Sequence, residues 1–161
     1  MKRTPRALVF QSFFIFILSF VFTGCATITV PKYIKDSHPY KEVFYYRFNE
    51  VQEKARVALS EIGWSIESTA DPTVFERNKL LNETEGEQIL IFSKVRQGWF
   101  ILGKKYSRVN VYLRAGKNNT AEVELRYIRM TSVPFKIFEK FENDRFAKKL
   151  FSLIDKKLAA Q

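Results

Sequence analysis

The chain has 161 residues with 27 basic and 17 acidic side chains, which gives a formal net charge of +10. Its length allows one domain with a substantial hydrophobic core, but not two comfortable ones. The single cysteine excludes an intramolecular disulfide, so the fold must be stabilised by its core. The basic charge favours a nucleic acid, an anionic membrane or an acidic polymer as partner, and the alternative is a solvated basic surface without a specific partner.

The N-terminus has the pattern of a secretory signal. Three basic residues, Lys2, Arg3 and Arg6, precede an almost wholly apolar run over 8–22, and no acidic residue occurs before Cys25. This is the order of regions in a signal peptide. The apolar run has about 15 residues, fewer than the roughly 20 that span a bilayer. A cleaved signal is therefore favoured over a retained transmembrane anchor.

The segment Phe22-Thr23-Gly24-Cys25 resembles the lipobox of bacterial lipoproteins, with phenylalanine where leucine is commonest. The resemblance implies that residues 1–24 are removed by cleavage between Gly24 and Cys25. It also implies that Cys25 receives a covalent diacylglyceryl group and a fatty acyl chain, and no other cofactor is expected. Several acyl chains anchor a protein stably, whereas one holds only marginally. Ala26 replaces the aspartate that commonly retains lipoproteins in the inner membrane, which by the same resemblance favours the periplasmic leaflet of the outer membrane.

Export narrows the partners that the basic charge allows. Removal of the signal leaves a mature chain of 137 residues, 25–161, with 24 basic and 17 acidic side chains and a net charge of +7. A protein of the bacterial envelope does not meet nucleic acid in its ordinary setting. Anionic lipid, lipopolysaccharide phosphate, peptidoglycan and other envelope proteins remain as partners, in addition to the membrane that holds the anchor.

The first part of the mature chain is predicted to be a tether. Residues 26–42 contain Pro31 and Pro39 and show no sustained periodicity. With Cys25 they form a predicted flexible tether over 25–42. A flexible chain of 17 residues, the length of 26–42, has a root-mean-square span of roughly 20–25 Å. The tether would keep the following domain close to the membrane.

A strand and a helix open the predicted domain. The aromatic-rich stretch 43–48 is typical of a strand. Apolar residues at helical spacing predict a helix over 51–62, with Asn49 as its N-cap and Gln52 in capping-box position. Gly63 follows where a left-handed residue commonly ends a helix.

The remainder alternates like a sheet and closes with helical residues. Five further strands are predicted, over 64–68, 73–79, 88–95, 106–114 and 121–130. Residues 115–120 have the composition of a hairpin turn. Pro134 and three phenylalanines predict a short helix over 134–141. Asn143 or Asp144 can cap a helix over 143–158, and the sequence leaves open whether this region is one kinked helix or two.

This order predicts an α+β fold with one antiparallel sheet of five to six strands. The helix in the N-terminal half and the C-terminal helix are expected to pack on one face of that sheet, in a single domain over 43–161. The pattern is similar to helix-grip domains of small envelope lipoproteins, including accessory lipoproteins of the outer-membrane barrel-assembly machinery. The features that carry this resemblance are Phe44-Tyr45-Tyr46 before the first helix, Gly63-Trp64-Ser65-Ile66 after it, the later strands and the helix over 143–158.

Residues 98–103 are the main candidate for a binding site. Four bulky apolar residues lie between two glycines, Gly98 and Gly103, with basic residues on both sides; they are Trp99, Phe100, Ile101 and Leu102, and the nearest basic residues are Lys104 and Lys105. A protruding loop here could enter an anionic membrane surface or a groove of a partner. The alternative is that the sheet continues through these residues and buries every second one.

The sequence predicts no catalytic site and no metal site. The single histidine, His38, falls in the predicted tether, where a catalytic relay would lack a rigid scaffold. A non-catalytic binding or accessory module is therefore the favoured function. The alternatives are an envelope hydrolase, which has less support, and a carrier of an apolar ligand between sheet and helix. The carrier would need a pocket lined by Phe44, Tyr46, Phe92 and Tyr127.

A lysine-rich face of the last helical region is a second candidate surface, formed by Lys136, Lys140, Lys148, Lys149, Lys156 and Lys157.

Overall fold

The structure is a computed structural model that describes residues 28–76, 86–100, 103–133 and 136–160. Within these ranges the chain forms strands, two α-helices and one short 3₁₀ helix over Pro72–Val74. The strands and α-helices, in chain order, are β1 (Tyr40–Phe44), α1 (Phe48–Glu61), β2 (Ile66–Ala70), β3 (Gln88–Ser93), β4 (Arg96–Phe100), β5 (Gly103–Ala115), β6 (Ala121–Val133), β7 (Lys136–Lys140) and α2 (Asp144–Ala159).

One long hairpin organises the sheet. β5 and β6 each have 13 residues and pair antiparallel along their whole length. At one end of this hairpin the strand order is β1-β6-β5-β3-β2, and at the other end β4 pairs with β5 and β7 pairs with β6. The predicted α+β fold with an antiparallel sheet is confirmed, with seven strands among the described residues instead of five to six.

Both helices cover the same face of the sheet, as predicted. Each presents an apolar stripe at helical spacing; the buried residues are Val51, Ala55, Ala58 and Leu59 in α1, and Ala147, Leu150, Phe151, Ile154 and Leu158 in α2. These side chains share one core cluster with alternate residues of β5 and β6, among them Val111 and Leu125. Burial of this face supplies most of the apolar surface that the fold removes from water.

The region predicted as a short helix over 134–141 is a strand over most of its length. β6 continues to Val133, and β7 then pairs back along it. The phenylalanines have helical spacing but do not form one buried helix face. Phe138 is exposed on β7, whereas Phe141 packs against a cluster on the sheet. α2 is a single helix, and the side chain of Asn143 accepts a hydrogen bond from the main-chain N–H of Phe146, so the predicted cap is confirmed.

Two predictions in the first half of the domain are wrong in detail. α1 begins at Phe48, which packs partly buried against the core, so Asn49 is inside the helix and Arg47 holds the N-cap position. No strand occupies 73–76, because Asp71 accepts the main-chain N–H of Thr73 at 2.8 Å and starts the 3₁₀ helix. Residues 77–79 of that predicted strand lie outside the described residues.

The two predicted turns have the expected backbone. Gly63 has a φ of +83° after α1, a conformation that side chains with a Cβ rarely adopt. In the β5–β6 turn, Asn118 and Asn119 have φ values of 58° and 56°. Asparagine tolerates this region better than most residues.

The N-terminal segment, residues 28–39, packs on the sheet face opposite the helices. Ile34 is 0% exposed and forms a cluster with Ile128 and Met130. β1 then begins at Tyr40, three residues earlier than the predicted strand. The prediction of a flexible tether is therefore wrong for residues 28–42, because 28–39 pack on a sheet face and 40–42 belong to β1. Residues 25–27 lie outside the described residues.

Replacement of Ile34 by alanine tests this packing. We expect the free energy of unfolding to fall by about 2–5 kcal/mol, since a buried branched side chain is lost and a cavity remains. Chemical denaturation followed by the fluorescence of buried Trp64 measures the change. The matched control is Lys35→Ala at the exposed neighbouring position, for which a change within about 0.5 kcal/mol is expected. Equal stability of the two variants would show that the segment does not contribute to the fold.

Candidate functional site

The far end of the sheet forms an extension that projects beyond the helices. We define the sheet extension as residues 96–100, 103–107, 129–133 and 136–140, which pair across β4, β5, β6 and β7. Its charged residues are unbalanced: six are basic and one is acidic; they are Arg96, Lys104, Lys105, Arg129, Lys136 and Lys140, against Glu139. The extension thus carries a net charge of +5, out of +7 for residues 25–161.

The sheet extension also exposes large apolar side chains. Trp99 is 77% exposed, and Phe138 and Ile137 are exposed on the edge strand β7. Lysine ammonium groups lie beside both rings: the Lys104 Nζ is 5.1 Å from the Trp99 ring centroid, and the Lys136 Nζ is 4.8 Å from that of Phe138. The strand register places Trp99 and Phe138 on opposite faces of the extension, so each face carries an exposed ring beside a cation. Such rings suit an anionic interface with an apolar layer beneath it.

The candidate segment 98–103 is part of a hairpin. Gly98 and Trp99 belong to β4, so the sheet continues through them, as in the alternative to a protruding loop. Trp99 and Lys104 are nevertheless exposed, as the loop hypothesis expected, and Lys105 is half-buried on the other sheet face. Ile101 and Leu102 lie outside the described residues, as does the side chain of Phe100.

The N-terminal segment runs toward the sheet extension. Arg108 donates to the carbonyl of Pro31 at 3.0 Å, and Asn110 donates to the carbonyl of Lys32 at 3.1 Å. Followed backward from residue 32, the chain therefore runs along β5 toward Tyr106 and the extension. Ile28 and Val30 pack, with Tyr106, against the cluster of Ile34, Ile128 and Met130. The first described residues thus lie on the face of the sheet that carries Trp99.

A buried ion network fixes this segment in place. Arg126 is 1% exposed and forms ion pairs with Glu76 and Glu124. Its Nη1 donates to the Tyr33 hydroxyl at 2.6 Å, and that hydroxyl donates to Glu76 at 2.8 Å. Lys41 of β1 adds a second cation 3.3 Å from Glu124. The network thus joins Tyr33 of the N-terminal segment and Lys41 of β1 to Glu76 and to two residues of β6.

The surroundings raise the pKa of two members of the network, Tyr33 and Arg126. Burial and the hydrogen bond to Glu76 raise the pKa of Tyr33 to about 12, which extends to higher pH the range in which the phenol donates to Glu76. Burial opposes the charge of Arg126, but the carboxylates of Glu124 and Glu76 outweigh it and raise the pKa of the guanidinium above its usual range. This network was not predicted, although charged residues at alternate positions of the apolar strand β6 are a sequence signal for it.

The other predicted residues are placed as follows. Gly24 and Cys25 lie outside the described residues. His38 accepts or donates a hydrogen bond of 2.8 Å with Ser37, and the main-chain N–H of His38, not its ring, binds Asp36. In the part of the chain that the structure describes, no carboxylate is hydrogen-bonded to the imidazole, as a catalytic relay would require.

The four residues of the predicted carrier pocket do not face one cavity. Phe44 and Tyr127 belong to the core under the helices, and Tyr46 packs against it. Phe92 belongs to a separate cluster, with Leu90 and Tyr112, on the opposite face of the sheet.

The lysine-rich surface is divided between two elements. Lys136 and Lys140 belong to β7, whereas Lys148, Lys149, Lys156 and Lys157 belong to α2. Lys157 forms an ion pair of 2.5 Å with Glu61 of α1, which joins the two helices.

Comparisons with known proteins return no family for this chain: it matches no protein-family model, and no curated protein shows significant sequence similarity to it. Over the described ranges, neither helix is long and apolar enough to cross a membrane. Nor do three or more histidine, cysteine, aspartate or glutamate side chains come together as a metal site in those ranges.

Replacement of Arg126 by methionine tests the ion network. The variant leaves Glu76 and Glu124 buried without their shared guanidinium, so we expect the free energy of unfolding to fall by about 3–5 kcal/mol. Thermal and chemical denaturation measure the change. Arg145→Met, at an exposed position of α2, is the matched control and should be near neutral. Addition of Glu76→Gln and Glu124→Gln to Arg126→Met should recover part of the loss, and no recovery would contradict the electrostatic explanation.

Proposed function

We propose that the protein is a lipid-anchored accessory module of the bacterial envelope, without catalytic activity, whose sheet extension rests on the anionic membrane surface that holds its anchor. The lipobox-like segment supports the anchor. The observation that carries the proposal is the course of the N-terminal segment, which brings Ile28 to the same end and face of the sheet as Trp99.

The anchor lies within short reach of the sheet extension. Cys25 precedes Ile28 by three residues, and three residues span at most about 11 Å when fully extended. Acyl chains on Cys25 would therefore enter the bilayer close to the extension. The segment that leads to the anchor is packed on the sheet from Ile28 onward, so the domain has little freedom to turn its other end to the membrane.

The chemistry of the sheet extension suits this position. A basic side chain near an anionic bilayer surface contributes about 1 kcal/mol, and tryptophan favours the layer between headgroups and acyl chains. Exposed Trp99 and the neighbouring Lys104, on the face that Ile28 reaches, would add a second membrane contact to the lipid anchor. The other five basic residues lie on the opposite face of the extension and would add positive charge at the same end of the domain. Two such contacts give a defined orientation as well as attachment.

The opposite end of the sheet would then face away from the membrane. Tyr45 is 83% exposed beyond β1, beside Ala121, the partner of Phe44. Eleven residues of β6 separate Ala121 from Ser132, the partner of Lys104 beside Trp99, or roughly 36 Å of strand. An accessory role follows from this arrangement, because the domain presents a fixed surface to other envelope proteins at a fixed height. The carrier alternative loses the pocket from which it was argued, since its four residues lie on two faces.

Fluorescence quenching by brominated lipid tests the proposed orientation. In acylated protein on vesicles of phosphatidylethanolamine and phosphatidylglycerol, a Trp64→Phe variant leaves Trp99 as the only tryptophan of the two in the chain. We expect strong quenching and a blue shift of its emission. The matched probe at the other end carries Trp64→Phe, Trp99→Phe and Tyr45→Trp, and should show neither effect.

Two controls separate the anchor from the orientation. Metabolic labelling with a fatty acid should label the wild-type protein but not Cys25→Ala, and an unlabelled wild-type protein would remove the premise. Replacement of phosphatidylglycerol by phosphatidylcholine, or added salt, should reduce quenching of Trp99, since the attraction is electrostatic. Equal quenching of both probes, or none at Trp99, would contradict the proposal.

A further inference from the structure

A basic cleft lies where the sheet extension meets the helices. It is an open cleft of about 350 Å³ between β4, β5 and β6 on one side and Trp64 and α2 on the other. We define the basic cleft by its four cationic side chains, which are Arg96, Lys105, Arg129 and Lys149; Gln97, Ser107 and Asn143 add polar groups. No acidic residue is among its described lining residues.

The strand register places three of the four cations around one point. Ser107 of β5 pairs with Arg96 on one neighbouring strand and with Arg129 on the other. Neighbouring strands are about 4.8 Å apart, so the two arginine Cα atoms are roughly 10 Å apart with Ser107 between them. Lys105 lies two residues before Ser107, on the same face. Lys149 reaches the cleft from α2.

Aromatic rings, not carboxylates, hold the two arginines. The guanidinium of Arg96 lies 4.9 Å from the Trp64 ring, and Trp64 is itself packed 5.7 Å from Phe146. The Nε of Arg129 donates to the Tyr127 hydroxyl at 3.0 Å, and its guanidinium lies 5.6 Å from the same ring. Both guanidinium groups are therefore oriented in advance, while most of their N–H donors remain available for a ligand.

Three arginines on the opposite face of the sheet form ion pairs with carboxylates. Arg108 pairs with Glu67 at 2.7 Å, Arg114 pairs with Glu122 at 2.7 Å, and Arg126 pairs with two carboxylates. Among the described residues no such ion pair is formed by the four cations of the basic cleft. Like charges brought together without an acidic partner repel one another, and an anionic ligand would remove that repulsion.

The cleft also has free space at Gly98, and the N-terminus of α2 lies at its wall. Gly98 pairs with Lys105, and a Cβ added at Gly98 would meet no atom within 4 Å. Asn143 caps the N-terminus of α2 at the cleft wall, so the positive end of a 16-residue helix is directed to this side.

We propose that the basic cleft binds the phosphate group of an anionic ligand, with Arg96 and Arg129 as the principal donors. The planar guanidinium fork matches phosphate oxygens better than an ammonium does. Lys105 and Lys149 supply further charge. The binding of phosphate itself stands on the cleft alone, and only the assignment of a membrane phospholipid as its source rests on the proposed function.

Titration with water-soluble ligands tests the site. Acylated protein with Trp99→Phe, in micelles of a neutral detergent, leaves Trp64 in the cleft as the only tryptophan and as the reporter. The ligands are dihexanoyl phosphatidic acid, dihexanoyl phosphatidylcholine and inorganic phosphate. We expect saturable binding of phosphatidic acid and much weaker binding of phosphatidylcholine, whose chains are the same. Inorganic phosphate that binds as tightly as phosphatidic acid would support the phosphate site and identify a free anion as its ligand.

Charge-matched variants make the result decisive. Arg96→Gln with Arg129→Gln should weaken phosphatidic acid binding at least tenfold, whereas Arg145→Gln with Lys148→Gln removes the same charge from outside the cleft and should change it little. Gly98→Leu should keep the fold but fill the cleft and abolish binding, and Gly98→Ala should retain it. No saturable binding of either phosphate ligand, or equal losses in the two charge-matched pairs, would overturn the proposal. Failure of Trp99 to meet the membrane would leave these outcomes unchanged, so the two proposals can fail separately.

Discussion

The ion network of Arg126 holds Tyr33 of the N-terminal segment on the sheet, and the proposed orientation of the domain at the membrane depends on it. Arg126 lies on the central strand β6, and its guanidinium joins Tyr33 of the segment to Glu76 and Glu124. A buried ion pair is a poor source of net stability. The contact of Tyr33 with it is nevertheless specific, because a shifted segment would withdraw the hydroxyl that bonds both Arg126 and Glu76 in the protein interior. The network therefore fixes the direction of a segment that has little regular structure of its own.

In the proposed function, that direction gives the two ends of the sheet different roles. The segment leads from Tyr33 back to Ile28, beside the sheet extension with its basic residues and exposed Trp99. An anchor at Cys25 would place this end against lipid and the Tyr45 end away from it. The basic cleft lies on the opposite face of the extension from Trp99, next to the helices but at the same end of the domain, where a headgroup phosphate could reach it. Attachment, orientation and anion binding would thus follow from one arrangement of the chain.

The sequence predicts the parts of this fold that depend on local patterns. The apolar stripes of the two helices, the left-handed Gly63, the cap at Asn143 and the antiparallel strands are all visible in it. It fails where distant residues decide. The spacing of Phe138 and Phe141 is helical, yet pairing with β6 makes a strand. Residues 28–39 have no periodicity, and only the sheet face that they cover shows that they are ordered. The basic cleft could not be predicted, because strand register brings Arg96 and Arg129 to either side of Ser107.

The most direct test measures the course of the N-terminal segment in the acylated protein. Spin labels at Thr29→Cys and Lys104→Cys, compared with Thr29→Cys and Lys117→Cys, report distances to the two ends of the long hairpin by pulsed electron resonance. We predict a short, narrow distance distribution for the first pair and a distance longer by roughly 20–30 Å for the second, from the rise of the strand between them. Broad distributions with the same mean for both pairs would contradict the account, because they would show a segment free to leave the sheet.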